Sequence, residues 1–168
     1  MSAAGVKTLL RGGYVLLILL REPVEVRYGT RLCRLAKGLY AYVGSALRGV
    51  EARVSRHCAK SKRLRWHIDA LTTLPGALVL GALAVPGERG IEQVLAKTLE
   101  RLGEPMCPGF GSSDSRDPTH LFRVDLSALS KLCHMFNMRY LPCLAAYRVG
   151  DAEPCSEGIR RLYTQICP

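Results

Sequence analysis

Tyr14-Val-Leu-Leu-Ile-Leu-Leu20 is the stretch on which the fold turns. Seven apolar residues run unbroken and stop at Arg21-Glu22-Pro23, so they read as a buried, central β-strand. Lys7 and Arg11 precede the run as in a secretion signal, but it is too short and no small-residue cleavage site follows. Outward from it, Val24-Glu-Val-Arg-Tyr28 alternates apolar and charged residues, the pattern of a half-exposed strand. Gly29-Thr30 punctuates, and Leu32-Cys33-Arg34-Leu35 reads as another edge piece. Leu39-Tyr-Ala-Tyr-Val43, bounded by Gly38 and Gly44, is a further strand. Such close spacing favours antiparallel pairing over crossovers.

The period then changes. Leu47, Val50, Val54 and Cys58 form one stripe at helical spacing, with Arg53, Arg56, His57 and Lys60 on an adjoining face. Ser61 to Arg65 is a basic loop, and Trp66-His-Ile-Asp69 lies on a second helix as a core tetrad, with Trp66 and Ile68 packing. Ala77 to Val85 reads as a strand. Ile91 to Leu102 is a helix with Ile91, Val94, Leu95, Leu99 and Leu102 facing the core and Gly103 as its stop. A loop, Gly109-Phe-Gly-Ser-Ser-Asp114, leads to a last strand, Leu121-Phe-Arg-Val124. Leu126 to Phe136 and Ser156 to Ile166 read as helices, joined through Pro142, Gly150 and Pro154. The expected fold is α+β: a small, mainly antiparallel central sheet flanked by helices over residues 1–124, then a C-terminal helical extension over 125–168.

Lys and Arg total 24 against 14 Asp and Glu, a formal charge of +10, which suits a polyanionic partner. The charge is concentrated. Arg53, Arg56, Lys60, Lys62, Arg63 and Arg65 fall within thirteen residues that contain no acid. A basic helix running into a basic loop fits a phosphate backbone; a solvated helix face is the plainer alternative. Leu74 to Val85 is apolar but too short to span a bilayer, so no membrane partner and a cytoplasmic setting are expected. Seven cysteines show neither a CxxC pair nor zinc-ligand spacing, and four lie beyond residue 130. They are either disulfides within the tail, as intracellular proteins of hyperthermophiles carry, or buried free thiols.

Gly12-Gly13-Tyr14 opening a strand and Tyr42-Val43-Gly44 on a later one resemble the paired motifs of the GIY-YIG nuclease superfamily. Arg53 and His57 follow one helical turn apart, where that superfamily places an arginine and a histidine or tyrosine. The resemblance is more specific to the Uri-type branch, small archaeal proteins. It rests on Gly38-Leu-Tyr-Ala-Tyr-Val-Gly-Ser-Ala46, Arg53-Val-Ser-Arg-His57, Trp66-His-Ile-Asp69 and Gly109-Phe-Gly-Ser-Ser-Asp114, and covers about residues 10 to 124. Three departures stand out. Gly13 replaces a branched aliphatic residue, the gap from Tyr14 to Tyr42 leaves room for an extra strand pair, and Ser115 and Asp117 stand where relatives carry cysteines. His120 would then be a structural or phosphate-contacting histidine.

The resemblance implies a metal-dependent endonuclease that hydrolyses phosphodiester bonds, in DNA rather than RNA, with repair or genome maintenance as its setting. Glu92 would hold a single Mg²⁺ or Mn²⁺ ion. Tyr14 or Tyr42 would act as base or orient the water, which requires a pKa pushed below about 10. Arg53 would bind the phosphate and His57 would shuttle a proton or contact phosphate. Ser45, Arg56, Lys60, Lys62, Arg63 and Arg65 would contact nucleic acid. Each residue also has a plainer role: strand packing for the tyrosines, a first-turn acid for Glu92, surface charge for the rest. Two other functions stay open: a non-catalytic nucleic-acid-binding module on the same fold, and an adaptor that docks a partner through its tail.

Overall fold

Strand β1 (Gly12–Leu20) is buried along almost its whole length and forms the middle of the sheet, as its unbroken apolar run requires. The computed structural model describes residues 10–143 and 153–166. Strands β4 (Gly38–Ala46) and β5 (Ala77–Pro86) flank β1 antiparallel on either side. β7 (Leu121–Val124) and β6 (Glu104–Met106) continue the sheet beyond β4; β8 (Arg139–Pro142) and β9 (Glu153–Pro154) continue it beyond β5. Every pairing among these seven strands is antiparallel. The expected fold class is therefore the observed one.

The chain between Tyr14 and Tyr42 does hold an additional strand pair. β2 (Val24–Tyr28) and β3 (Arg31–Leu35) form a hairpin of their own, outside the central sheet, closed by Gly29-Thr30 with Gly29 at φ 57°. Helices α1 (Val50–Cys58) and α2 (His67–Thr72) cover one face of the sheet together with this hairpin. Helices α3 (Ile91–Leu102), α4 (Leu126–Phe136) and α5 (Cys155–Ile166) cover the other. The tail is helical as expected, and it also supplies β8 to the main sheet and Leu129, Leu132 and Leu162 to the second core.

Three expectations are corrected. Val94, expected on the core face of α3, is exposed. Leu47 lies outside the helical stripe: α1 begins only after Gly49, whose φ of 144° belongs to the turn, and Leu47 is exposed. The tetrad Trp66 to Asp69 is not simply core. Ile68 packs inside, but Asp69 is a fully buried carboxylate that accepts from the Arg65 and Trp66 backbone N–H groups and from both ends of the Arg56 guanidinium.

Six cysteines form three disulfides, Cys33–Cys107, Cys58–Cys143 and Cys133–Cys155. The last lies within the tail. The first ties the hairpin to the loop after β6, and the second ties the end of α1 to the residue after β8. Cys167 is outside the described residues. No helix among the described residues is long and apolar enough to cross a membrane.

Candidate functional site

The register of β1 on β4 sets the site. Tyr14 lies opposite Gly44, and Leu16 opposite Tyr42, so both tyrosines point to the face that carries α1 and α2. The Tyr14 ring crosses directly over its partner: a Cβ on Gly44 would collide with the ring and its hydroxyl. Tyr42 is seated the same way against Gly111, where a Cβ would come within 2.6 Å of Cε2, and Gly111 has φ 71° besides. The glycine of Tyr42-Val43-Gly44 is thus the floor on which Tyr14 rests. Gly13 faces the other way. Its missing side chain leaves space for Ile91 and Leu95 of α3, whose side chains a Cβ would meet at 3.0 and 2.7 Å.

Helix α3 packs on the far face through Leu95, Ala96 and Leu99, yet its second residue reaches the cleft. β7 pairs with β4 only as far as Tyr42, and beyond that edge Ser45 Oγ donates to Glu92 Oε2 at 2.8 Å. Tyr14, Tyr42, Arg53, His57, Ser45 and Glu92 consequently line one cleft of about 390 Å³, together with Arg65, Trp66 and His67 and with Ser113 and Asp114 of the glycine-rich loop.

Tyr14 Oη lies 2.8 Å from Nε2 of His57, a buried imidazole whose Nδ1 has no partner among the described residues. Burial and then the charge of Lys62 hold the imidazole neutral, with its pKa lowered to about 3. In the neutral tautomer that carries its proton on Nδ1, His57 accepts from the Tyr14 hydroxyl at Nε2. Burial also raises both tyrosines above the usual phenol range, although Arg53 pulls Tyr14 back toward ionisation. The depressed tyrosine pKa expected from the sequence is not found: these phenols are protonated. Arg53 stacks its guanidinium 4.5 Å from the Trp66 ring and reaches Ser45 O at 3.5 Å.

Glu92 is part of a chain of polar groups. Its other oxygen lies 3.1 Å from Nδ1 of His120, without good hydrogen-bond direction, and His120 Nε2 lies 2.9 Å from Asp117. Ser115 Oγ is 3.4 Å from the same Asp117 oxygen. Burial opposes ionisation of Glu92, but His120, Ser45 and Arg53 outweigh it and hold the carboxyl below its ordinary range. Burial likewise opposes charge on His120, and the two carboxylates overcome it and raise its pKa. Ser115 and Asp117 thus build support for the residue beside Glu92. Sequence reasoning did not reach His120 as a neighbour of Glu92; its spacing of three from Asp117 was the available signal.

The basic residues divide. Lys60 donates to the carbonyls of Thr72 and Leu74, at 3.0 and 2.9 Å, and to that of Ala77. Lys62 donates to Arg56 O and His57 O at the end of α1. Arg56 holds Asp69 in a forked pair at 2.8 and 2.9 Å; burial opposes ionisation of Asp69, but Arg56 and the Trp66 and Arg65 N–H groups outweigh it and lower its pKa to about 2. These three donate inward. Arg63 and Arg65 are exposed; Arg65, with Arg48 and Arg53, surrounds the partly buried Trp66 side of the cleft, and Arg63 lines a separate groove with Arg65.

A family model described as a domain of unknown function, DUF123, matches residues 13–140. None of the curated proteins matches the chain. Nor does any solved structure.

Proposed function

The chain belongs to the DUF123 family, and we propose that it is a metal-dependent endonuclease of the GIY-YIG type and its Uri-type branch, hydrolysing phosphodiester bonds in DNA during repair or genome maintenance. One observation carries this reading: Tyr14, Tyr42, Arg53, His57 and Glu92, from two strands and two helices, line one cleft.

Glu92 would hold one Mg²⁺ or Mn²⁺ ion. The donor set suits it: a single ionised carboxylate, about one quarter exposed, whose protein neighbours are a hydroxyl and an imidazole. Among the described residues no group of three or more His, Cys, Asp or Glu would cage a metal, and magnesium keeps most of its waters. A bound ion supplies Lewis-acid neutralisation of the phosphoryl and leaving oxygens. Arg53 adds a forked donor to the same oxygens. The Tyr14 hydroxyl orients the attacking water. As the water oxygen bonds to phosphorus, its proton passes to the Tyr14 oxygen, the Tyr14 proton passes to neutral His57 Nε2, and the ester P–O bond breaks with its electron pair going to the leaving oxygen, which takes a proton from solvent. A phenol that stays protonated serves here because a neutral imidazole is already in place to receive its proton. Arg63 and Arg65 are the phosphate contacts, while Arg56, Lys60 and Lys62 shape the surface that presents them. Three disulfides in a cytoplasmic protein would fit a hyperthermophile.

The test is nicking of supercoiled DNA with Mg²⁺ or Mn²⁺. Glu92→Ala and Arg53→Ala should each reduce it on the order of 10³-fold, the scale of several kcal/mol of lost charge stabilisation. Full activity in both variants would place the chemistry elsewhere. A non-catalytic nucleic-acid-binding module is the second reading, supported by the engagement of both Glu92 oxygens by Ser45 and His120. It requires salt-dependent binding with no scission at any metal tested, so a cleavage product eliminates it.

A further inference from the structure

Leu64 is 63% exposed and sits between Arg63 and Arg65 in the loop that joins α1 to α2. Single exposed leucines are common and need no explanation. What sets this one apart is how firmly it is held. Lys62, two residues before it, donates from Nζ to Arg56 O at 3.0 Å and to His57 O at 2.8 Å. Arg56 Nη2 donates to the carbonyl of Arg63 at 2.9 Å. On the other side, the Arg65 N–H donates at 2.8 Å to buried Asp69, which the same Arg56 grips. The chain is therefore anchored before and after Leu64 by charged side chains directed inward. A basic loop without these anchors would have to be ordered on binding, at a cost in backbone entropy.

The surroundings are cationic. Leu64 lines an open groove with Arg56, Arg63 and Arg65, and Arg65 also lines the main cleft. Resting on the nucleic-acid reading above, we infer that Leu64 is a wedge that enters a stacked base step of duplex DNA while Arg63 and Arg65 hold the phosphates beside it. Apolar wedges of this kind unstack one step and kink the duplex. With Arg65 common to groove and cleft, the unstacked step lies next to the Tyr14–His57 pair. The substrate class this selects is duplex DNA whose stacking is already interrupted, at a bulge, nick or mismatch, because there the cost of opening the step has been met beforehand.

The experiment measures binding of the full chain, in EDTA and across a salt series, to two duplexes of one sequence, one intact and one with a single-base bulge. The wild-type chain should favour the bulged duplex by about tenfold or more, the scale of one unstacked step. Leu64→Ala should bring that ratio close to one with the salt slope unchanged, and Leu64→Met should retain it. A parent protein without preference, or an undiminished preference in Leu64→Ala, overturns the wedge while salt-dependent binding stands. If neither duplex binds with a salt-dependent affinity, the nucleic-acid reading itself fails and the wedge falls with it.

Discussion

The two faces of the central sheet are made from the same strands and differ in their content of buried tyrosine and polar groups. On one, Val15, Leu17, Val43 and Leu83 meet Leu95, Leu99, Leu129 and Leu132, an aliphatic layer between sheet and helices. On the other, the alternate residues Tyr14, Tyr40 and Tyr42 turn toward a layer that includes Phe110, His57 and Asp69. Buried groups without partners among the described residues, His57 Nδ1 and Ser112 Oγ, go with this second layer. Each such atom costs about 1–3 kcal/mol. The comparison teaches a division of labour: the aliphatic face supplies stability, and the aromatic face can therefore keep polar atoms uncommitted beside a cleft.

The widest gap between the faces should show in paired substitutions. Leu17→Ala removes a fully buried side chain from the aliphatic layer and should cost about 2–5 kcal/mol in denaturant unfolding, with nicking per folded molecule unchanged. Gly44→Ala forces a methyl group into the Tyr14 ring and should cost about 1–3 kcal/mol, yet abolish most nicking. Equal loss of nicking in both would erase the distinction.

Titration sharpens the contrast next. His57 is held with its pKa lowered to about 3, against 6.5 when unfolded. Below 6.5 the unfolded chain gains a proton that the folded chain refuses, so stability is present above 6.5 and is lost as the pH falls toward 3. The slope from this group is about 1.4 kcal/mol per pH unit. Urea melts at stepped pH should show it, and His57→Gln should flatten it between pH 6 and 4. An unchanged slope in that variant would mean that the imidazole is charged in the folded protein.

The smallest effect concerns the basic residues along the aromatic face. Arg65→Ala should lower the salt slope of DNA binding by about one, whereas Lys60→Met should leave the slope intact and lower stability instead. The reverse pattern would return Lys60 to the binding surface.

Much of this was legible before any coordinates. The Tyr14–Leu20 run identified the central strand, α3 ends at its Gly103 stop, and α4 spans the residues read as helical. β6 and β8 were not legible: they are three and four residues long and each contains a proline, tolerable near a sheet edge but opposite to a strand signal. Within the site, motif resemblance named the side chains that line the cleft. The destination of Lys60 and Lys62 escaped it, because carbonyls at helix and strand ends 5 to 17 residues away follow no pattern of spacing. Cysteine count likewise hides connectivity; only the fold brings Cys58 to Cys143 across 85 residues.

Those cross-links have a further property. Cys33–Cys107 overlaps Cys58–Cys143, which in turn overlaps Cys133–Cys155, so the three closed loops form a continuous series. A protease that cuts once anywhere between residues 33 and 155 leaves two fragments still joined covalently. Such a nicked molecule would migrate as one species on a non-reducing gel and come apart only when a thiol is added.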